Sequence, residues 1–124
     1  MFMTILVVDD AGFARNVLVS MIVEMGYQVI GEALNGEDAV KKAKELKPDV
    51  IAMDIIMPKM NGIEAVKEIV KDNPEAYIIM CSAMGQRNMV IQSIVAGAKD
   101  FIVKPINKER LADSLDKCKK QLNC

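Results

Sequence analysis

Histidine is absent from all 124 residues. That removes Ser/His/Asp and Cys/His catalysis, His-ligated zinc, and any phosphohistidine carried on this chain. No apolar stretch approaches the ~18 residues of a membrane span, so no membrane partner is expected. There is no Lys/Arg block, and sixteen basic residues nearly cancel seventeen acidic ones. Direct contact with nucleic acid is therefore not expected either. Cysteine is scarce, three in all and without framework spacing, which fits a reducing cytoplasm better than an oxidising compartment. Cys118 and Cys124 stand at i and i+6, poor spacing for a shared metal; Cys118 suits a core position and Cys124 an exposed terminal thiol. The opening Met1-Phe2-Met3-Thr4-Ile5 has no basic region before its apolar run, so a signal peptide is not expected.

What remains is an ordinary globular composition, 52% hydrophobic and 27% charged. The length suits one domain over residues 1–124, large enough to bury a core without staples. Short apolar runs alternate with segments of helical period, the pattern of a parallel sheet with crossover helices. Strands are expected at 4–8, 28–32, 49–53, 77–81 and 100–103. The second is more mixed in composition and suits an edge. Helices are expected at 13–25, with Val17, Leu18, Met21, Ile22 and Met25 at helical spacing, and at 36–46, 62–71 and 87–96. A last helix follows Asn107 with the stripe Leu111, Leu115, Cys118 and Leu122. Asn35 with Asp38, and Asn61 with Glu64, read as N-cap and N3 pairs.

Four apolar runs end in residues with ionic or hydrogen-bonding chemistry. Asp9-Asp10 follows 5–8, Asp54 follows 50–53, Ser82 follows 78–81, and Lys104-Pro105 follows 101–103. In an open parallel sheet, ligands bind beyond the carboxyl ends of the strands. Two or three carboxylates there make an all-oxygen site suited to Mg2+, which keeps waters and pairs with phosphate oxygens. Each residue has a plainer reading. Asp9-Asp10 can cap the next helix, Lys104 can snorkel, and Ser82 can be a turn residue. Asp54 has no obvious capping role and interrupts the most apolar part of the chain. Together the set suits formation of an aspartyl phosphate, with Mg2+ and Lys104 neutralising charge. Asp9-Asp10-Ala11-Gly12-Phe13-Ala14 is no Gly-x-Gly-x-x-Gly loop, so the phosphate donor must lie elsewhere.

These segments closely resemble the receiver domain of two-component response regulators, specifically single-domain chemotaxis receivers. The likeness rests on Ile5-Leu6-Val7-Val8-Asp9-Asp10, Met53-Asp54-Ile55-Ile56-Met57-Pro58-Lys59-Met60-Asn61-Gly62, Cys81-Ser82-Ala83 and the stretch from Gly97 to Pro105. It spans essentially the whole chain. It implies a doubly wound, flavodoxin-like (CheY-like) α/β fold with a five-stranded parallel sheet in the order 2-1-3-4-5, forming a single receiver domain without an output domain. Asp54 would be the phosphoacceptor, supplied by a phosphohistidine on a chemotaxis histidine kinase. Asp10, Asp54 and the backbone carbonyl of Ile56 would bind Mg2+ directly, and Asp9 would help through water. Lys104 would contact the phosphoryl group, with Lys104-Pro105 cis. Ser82 and Phe101 would be the switch pair, remodelling the face of the fourth helix, fifth strand and fifth helix.

The resemblance further implies a cytoplasmic monomer acting on a flagellar motor switch protein or an archaeal adaptor. It would be no enzyme beyond gaining and losing its own phosphoryl group. Phe101 is otherwise plain core, and where many chemotaxis receivers have Tyr it lacks the hydroxyl. Ile56 and Met84 stand where side chains flank the attacking water, and neither orients water strongly. Slow self-dephosphorylation is expected, with a separate phosphatase. Met21, Met25, Met53 and Met80 read as core, whereas Met57, Met60, Met84 and Met89 are candidates to line a partner site. The rivals are a receiver in a non-chemotactic pathway, an aspartate-nucleophile phosphatase, and an interaction module without a switch. Asp54-Ile55-Ile56 lacks the Asp-x-Asp that the phosphatase needs, and the intact acid, Ser82 and Lys104 set speaks against the inert module.

Overall fold

The computed structural model describes residues 3–83 and 85–122. Met84 and Cys124, both singled out above, lie outside the described residues. Elements alternate along the chain as β1 (Thr4–Val8), α1 (Gly12–Glu24), β2 (Gln28–Ala33), α2 (Gly36–Leu46), β3 (Val50–Met53), α3 (Gly62–Asp72), β4 (Tyr77–Ser82), α4 (Arg87–Ala96), β5 (Asp100–Val103) and α5 (Lys108–Leu122). All strand pairs are parallel, in the order β2-β1-β3-β4-β5.

Side chains alternate across the sheet with period two, and that alternation divides the core. Leu6, Val8, Ile51, Met53, Ile78, Met80 and Phe101 face a cluster closed by residues of α2, α3 and α4. Ile5, Val7, Val50, Ala52, Ile79, Cys81 and Ile102 face a second cluster closed by Leu18 and Ile22 of α1 and by Leu111, Leu115 and Cys118 of α5. Each fully buried Ile or Leu contributes roughly 1.5–3 kcal/mol, so both sheet faces are strongly anchored. Helix starts follow the expected caps. Asn35 accepts from Asp38 N at 2.8 Å, Asn61 from Glu64 N at 2.9 Å and Asn107 from Arg110 N at 3.0 Å.

Several expectations change in detail. Asp49 is not in β3. Its carboxylate accepts from Thr4 N at 2.8 Å, tying the starts of β1 and β3 together. The edge strand β5 reads as apolar as an inner one because Phe101 feeds one cluster and Ile102 the other. In α1, Val17 is exposed. In α4, Ile91, Ile94 and Val95 are exposed, while the buried residue is Ser93, whose hydroxyl donates to Met89 O at 2.9 Å. Leu122 of α5 is also exposed. Met57 is buried, and Met60 and Met89 pack against the same cluster. Met57 is therefore core filling, whereas Met60 and Met89 are only partly buried and keep some exposed surface. No helix among the described residues is long and apolar enough to cross a membrane.

Candidate functional site

Parallel register brings the chemically active strand ends together. Val8 pairs with Met53 and Met53 with Met80, so Asp9 and Asp54 leave neighbouring strands side by side. Asp54 N donates to Val8 O at 3.0 Å, and Lys104 N donates to Ser82 O at 2.9 Å. Ser82 ends β4, buried, opposite Val103.

Asp9 is 2% exposed. Its carboxylate accepts from Ala11 N at 2.9 Å and from Lys104 Nζ at 2.6 Å. The first bond closes the turn ahead of α1; the helix itself starts at Ala11 without a side-chain cap, so capping does not account for the acid pair. Asp54 accepts from Ile55 N at 2.7 Å and from Lys104 Nζ at 3.1 Å. The ammonium thus bridges two carboxylates. Burial works against the charge on Lys104, but its bonds to Asp9 and Asp54 outweigh that and hold its pKa above the usual lysine value. The Lys104–Pro105 peptide is cis, and it leads from β5 into α5.

Carboxylate oxygens of Asp9, Asp10 and Asp54 all lie within 4.8 Å of one another. Such hard oxygen donors fit Mg2+ or a similar cation. Asp10 is exposed, and among the described residues no hydrogen bond or ion pair holds its carboxylate, so it has ligand capacity to spare. These three residues could hold a metal.

The loop that carries Asp54 is fixed by glycine. Gly62 N donates to Ile55 O at 2.7 Å, and a Cβ on Gly62 would sit 2.1 Å from Asp54 O. Gly36 N likewise donates to Met60 O at 2.9 Å, where a Cβ would meet the same oxygen at 2.2 Å. Only a residue without a Cβ permits either approach. Ile56, two positions after Asp54, is 57% exposed.

Phe101 pairs with Met80 and is buried in the core. Behind it, Asp100 accepts both prongs of Arg110, at 2.7 and 3.1 Å, together with the Ser114 hydroxyl at 2.6 Å and Phe101 N at 2.8 Å. Partial burial opposes the Asp100 charge, yet these donors prevail and hold its pKa below the usual carboxylate value. Cys81, just before Ser82, is fully buried, and burial pushes its thiol up to about 12. A groove of about 610 Å³ lies elsewhere, between α2 and α3 and lined by Val40, Ala43, Lys47, Ile51, Ile69 and Ala76. The acid edge is instead a cluster of three carboxylates and one ammonium.

One contributor escaped the sequence. Arg15 donates from Nη1 to Asp9 O at 2.9 Å and from Nε to Glu32 at 2.8 Å. Its partner Glu32 stands 17 positions away on β2, so no local pattern announces the pair.

Comparison with known proteins supports the same assignment. The response regulator receiver domain family matches residues 5–116. The chemotaxis protein CheY of Thermotoga maritima is 59% identical over 116 residues, covering 94% of this chain and 97% of that protein. CheY of Bacillus subtilis is 53% identical over 113 residues, covering 91% and 94%. Among solved structures, the complex of CheX and CheY with BeF3 and Mg2+ from Borrelia burgdorferi superposes with a TM-score of 0.90 at 34% identity, covering 93% of this chain and 87% of that one. With five parallel strands in the same order, an acid cluster and a bridging lysine at their carboxyl ends, the chain belongs to the response regulator receiver domain family.

Proposed function

We propose that this chain is a phosphorylation-activated response regulator of chemotaxis, a switch and not an enzyme with an external substrate. The observation that carries the reading is the ammonium of Lys104 bridging Asp9 and Asp54, with Asp10 within reach of both acids. Asp54 is the phosphoacceptor. One of its carboxylate oxygens bonds to the phosphorus of a kinase phosphohistidine as the phosphorus–nitrogen bond breaks, and the imidazole leaves with that electron pair. Asp10, Asp54 and the carbonyl of Ile56 hold Mg2+, with Asp9 assisting through water. When bound, the ion offsets charge on the phosphoryl oxygens. Lys104 shifts from the carboxylates to the phosphoryl group, and the buried hydroxyl of Ser82 turns toward it.

Phosphorylation adds about −1.5 to −2 charges at this edge. Conformations in which Ser82 and Lys104 both reach the phosphoryl group gain differentially, and Phe101 repacks with them. The output face is α4–β5–α5, and the exposed Val103 of β5 and Ile94 of α4 support an apolar partner contact there. A chemotaxis histidine kinase supplies the phosphoryl group, a motor switch protein or adaptor reads it, and a separate phosphatase removes it. Relatives named for chemotaxis over nearly the whole chain support this pathway, as does the receiver solved with CheX, BeF3 and Mg2+.

Incubation with acetyl phosphate and Mg2+, followed by intact-mass measurement, tests the reading. One phosphoryl adduct is expected on the wild type and none on Asp54→Asn. No adduct on the wild type, or rapid turnover of phosphate esters, would overturn it.

A further inference from the structure

We propose that Arg15 is a positioning residue that fixes the aim of Asp10 for the metal by holding the peptide between Asp9 and Asp10. The inference rests on the Mg2+ role given to the acid cluster above. Asp10 is exposed, and among the described residues its carboxylate has no hydrogen bond or ion pair, so its direction depends on its main chain. That main chain is restrained just ahead of it. Asp9 N donates to Ala33 O at 3.1 Å, and the Asp9 carboxylate is held by Ala11 N and Lys104. The remaining group of Asp9, its carbonyl, belongs to the peptide that leads into Asp10, and Arg15 Nη1 donates to it at 2.9 Å.

Arg15 is itself fixed at the other end of its fork. Nε donates to Glu32 at 2.8 Å, and Glu32 follows Gly31 on β2, in register with Val7 of β1. The chain of contacts therefore runs from an edge strand, through a guanidinium, to the peptide plane ahead of a free ligand. A planar fork makes both bonds with little loss of side-chain freedom, which a single ammonium cannot do in the same geometry. Partners that orient metal ligands in this way typically alter affinity by about 10–100-fold when removed.

The assignment has a sharp opposite. Arg15 carries positive charge beside three carboxylates, so as a mere neighbouring cation it would repel Mg2+, and its removal would tighten binding. As a positioning residue its removal must weaken binding. The sign of the change decides between them.

The experiment is isothermal titration of the full chain with Mg2+ alone, with no phosphodonor, for wild type, Arg15→Gln, Arg15→Lys and Glu32→Gln. Thermal unfolding in EDTA monitors the fold of each variant. Expected are a loss of about tenfold in Mg2+ affinity for Arg15→Gln, a smaller loss for Glu32→Gln, and partial recovery in Arg15→Lys. Paramagnetic Mn2+ titration provides the same comparison should Arg15→Gln unfold too readily for calorimetry, with Glu32→Gln as the milder variant. Unchanged or tighter binding in folded Arg15→Gln overturns the positioning role while leaving the acid cluster a metal site. Absence of Mg2+ binding by the wild type overturns the metal reading itself, and this inference with it.

Discussion

Lys104 and Asp9, ninety-five positions apart in the chain, meet at 2.6 Å, closer than Lys104 meets Asp54. The bridging ammonium is thus engaged most closely by a buried acid. Removing one partner of such a pair leaves an uncompensated charge, at a cost of about 3–5 kcal/mol when fully buried. Lys104 retains 20% side-chain exposure, so about 3 kcal/mol is expected for Lys104→Met in EDTA, read from urea denaturation. Added Mg2+ should return much of that loss, since it neutralises the same acids. A variant as stable as wild type without metal would show that the bridge does not matter to the fold.

Asp10 presents the reverse case. Three carboxylates within 4.8 Å of one another repel, and among the described residues the Lys104 ammonium bonds to Asp9 and Asp54 but not to Asp10. Asp10→Asn should therefore raise the urea midpoint in EDTA while weakening Mg2+ binding. Equal or lower stability would mean that Asp10 is not strained by its neighbours. Functional sites commonly hold such strain at the expense of stability.

Two glycines make a matched pair of tests. At Gly62 an added Cβ meets backbone, Asp54 O at 2.1 Å and Ile55 Cα at 2.9 Å. At Gly12 the nearest atom is the end of the Arg15 side chain at 3.9 Å. Gly62→Ala should cost about 1–3 kcal/mol or more and slow acetyl phosphate labelling, because Asp54 moves. Gly12→Ala should stay within about 0.5 kcal/mol of wild type. Similar chemical denaturation curves for the two would contradict the backbone contact.

The Asp100–Arg110 pair sets an acid limit. The Asp100 pKa is lowered in the fold, so its contribution is present above its unfolded value and is lost as pH falls through the folded one. Arg110→Met should move the acid unfolding limb to higher pH. At neutral pH it should cost about 1.5 kcal/mol, the lower part of the range because Arg110 is 39% exposed. Acid titration followed by circular dichroism measures both effects. An unmoved limb would assign the acid transition to other carboxylates.

Ile56 bears on lifetime. Its side chain, two positions after Asp54, is 57% exposed and has no group that can orient water by a hydrogen bond. Ile56→Asn introduces a donor and acceptor there, and roughly tenfold faster loss of the Asp54 phosphoryl group is expected. Decay of the labelled mass with time provides the measurement, and equal rates would remove this residue from the control of lifetime.

The strand ends were legible because continuous apolar runs and abrupt polar stops are local signals. Asp9, Asp10, Asp54, Ser82 and Lys104 each end an apolar run, and parallel topology does the rest. Caps at Asn35, Asn61 and Asn107 were legible for the same reason. Contacts made across elements were not. Nothing near Arg15 announces Glu32 on β2, and Gly62 looks like any residue after a cap until its distance to Asp54 O is known. Helix α4 misled most, since apolar residues on all its sides leave no stripe to orient it. Met57 was misread because a loop residue looks exposed until the loop folds inward.

The thiol of Cys81 sits one residue from the end of β4 and is raised to about 12 by burial. A sulfur held protonated and sealed from solvent is a poor nucleophile and a poor target for peroxide. The domain therefore carries cysteine one residue before the end of β4 without offering a reactive thiol there.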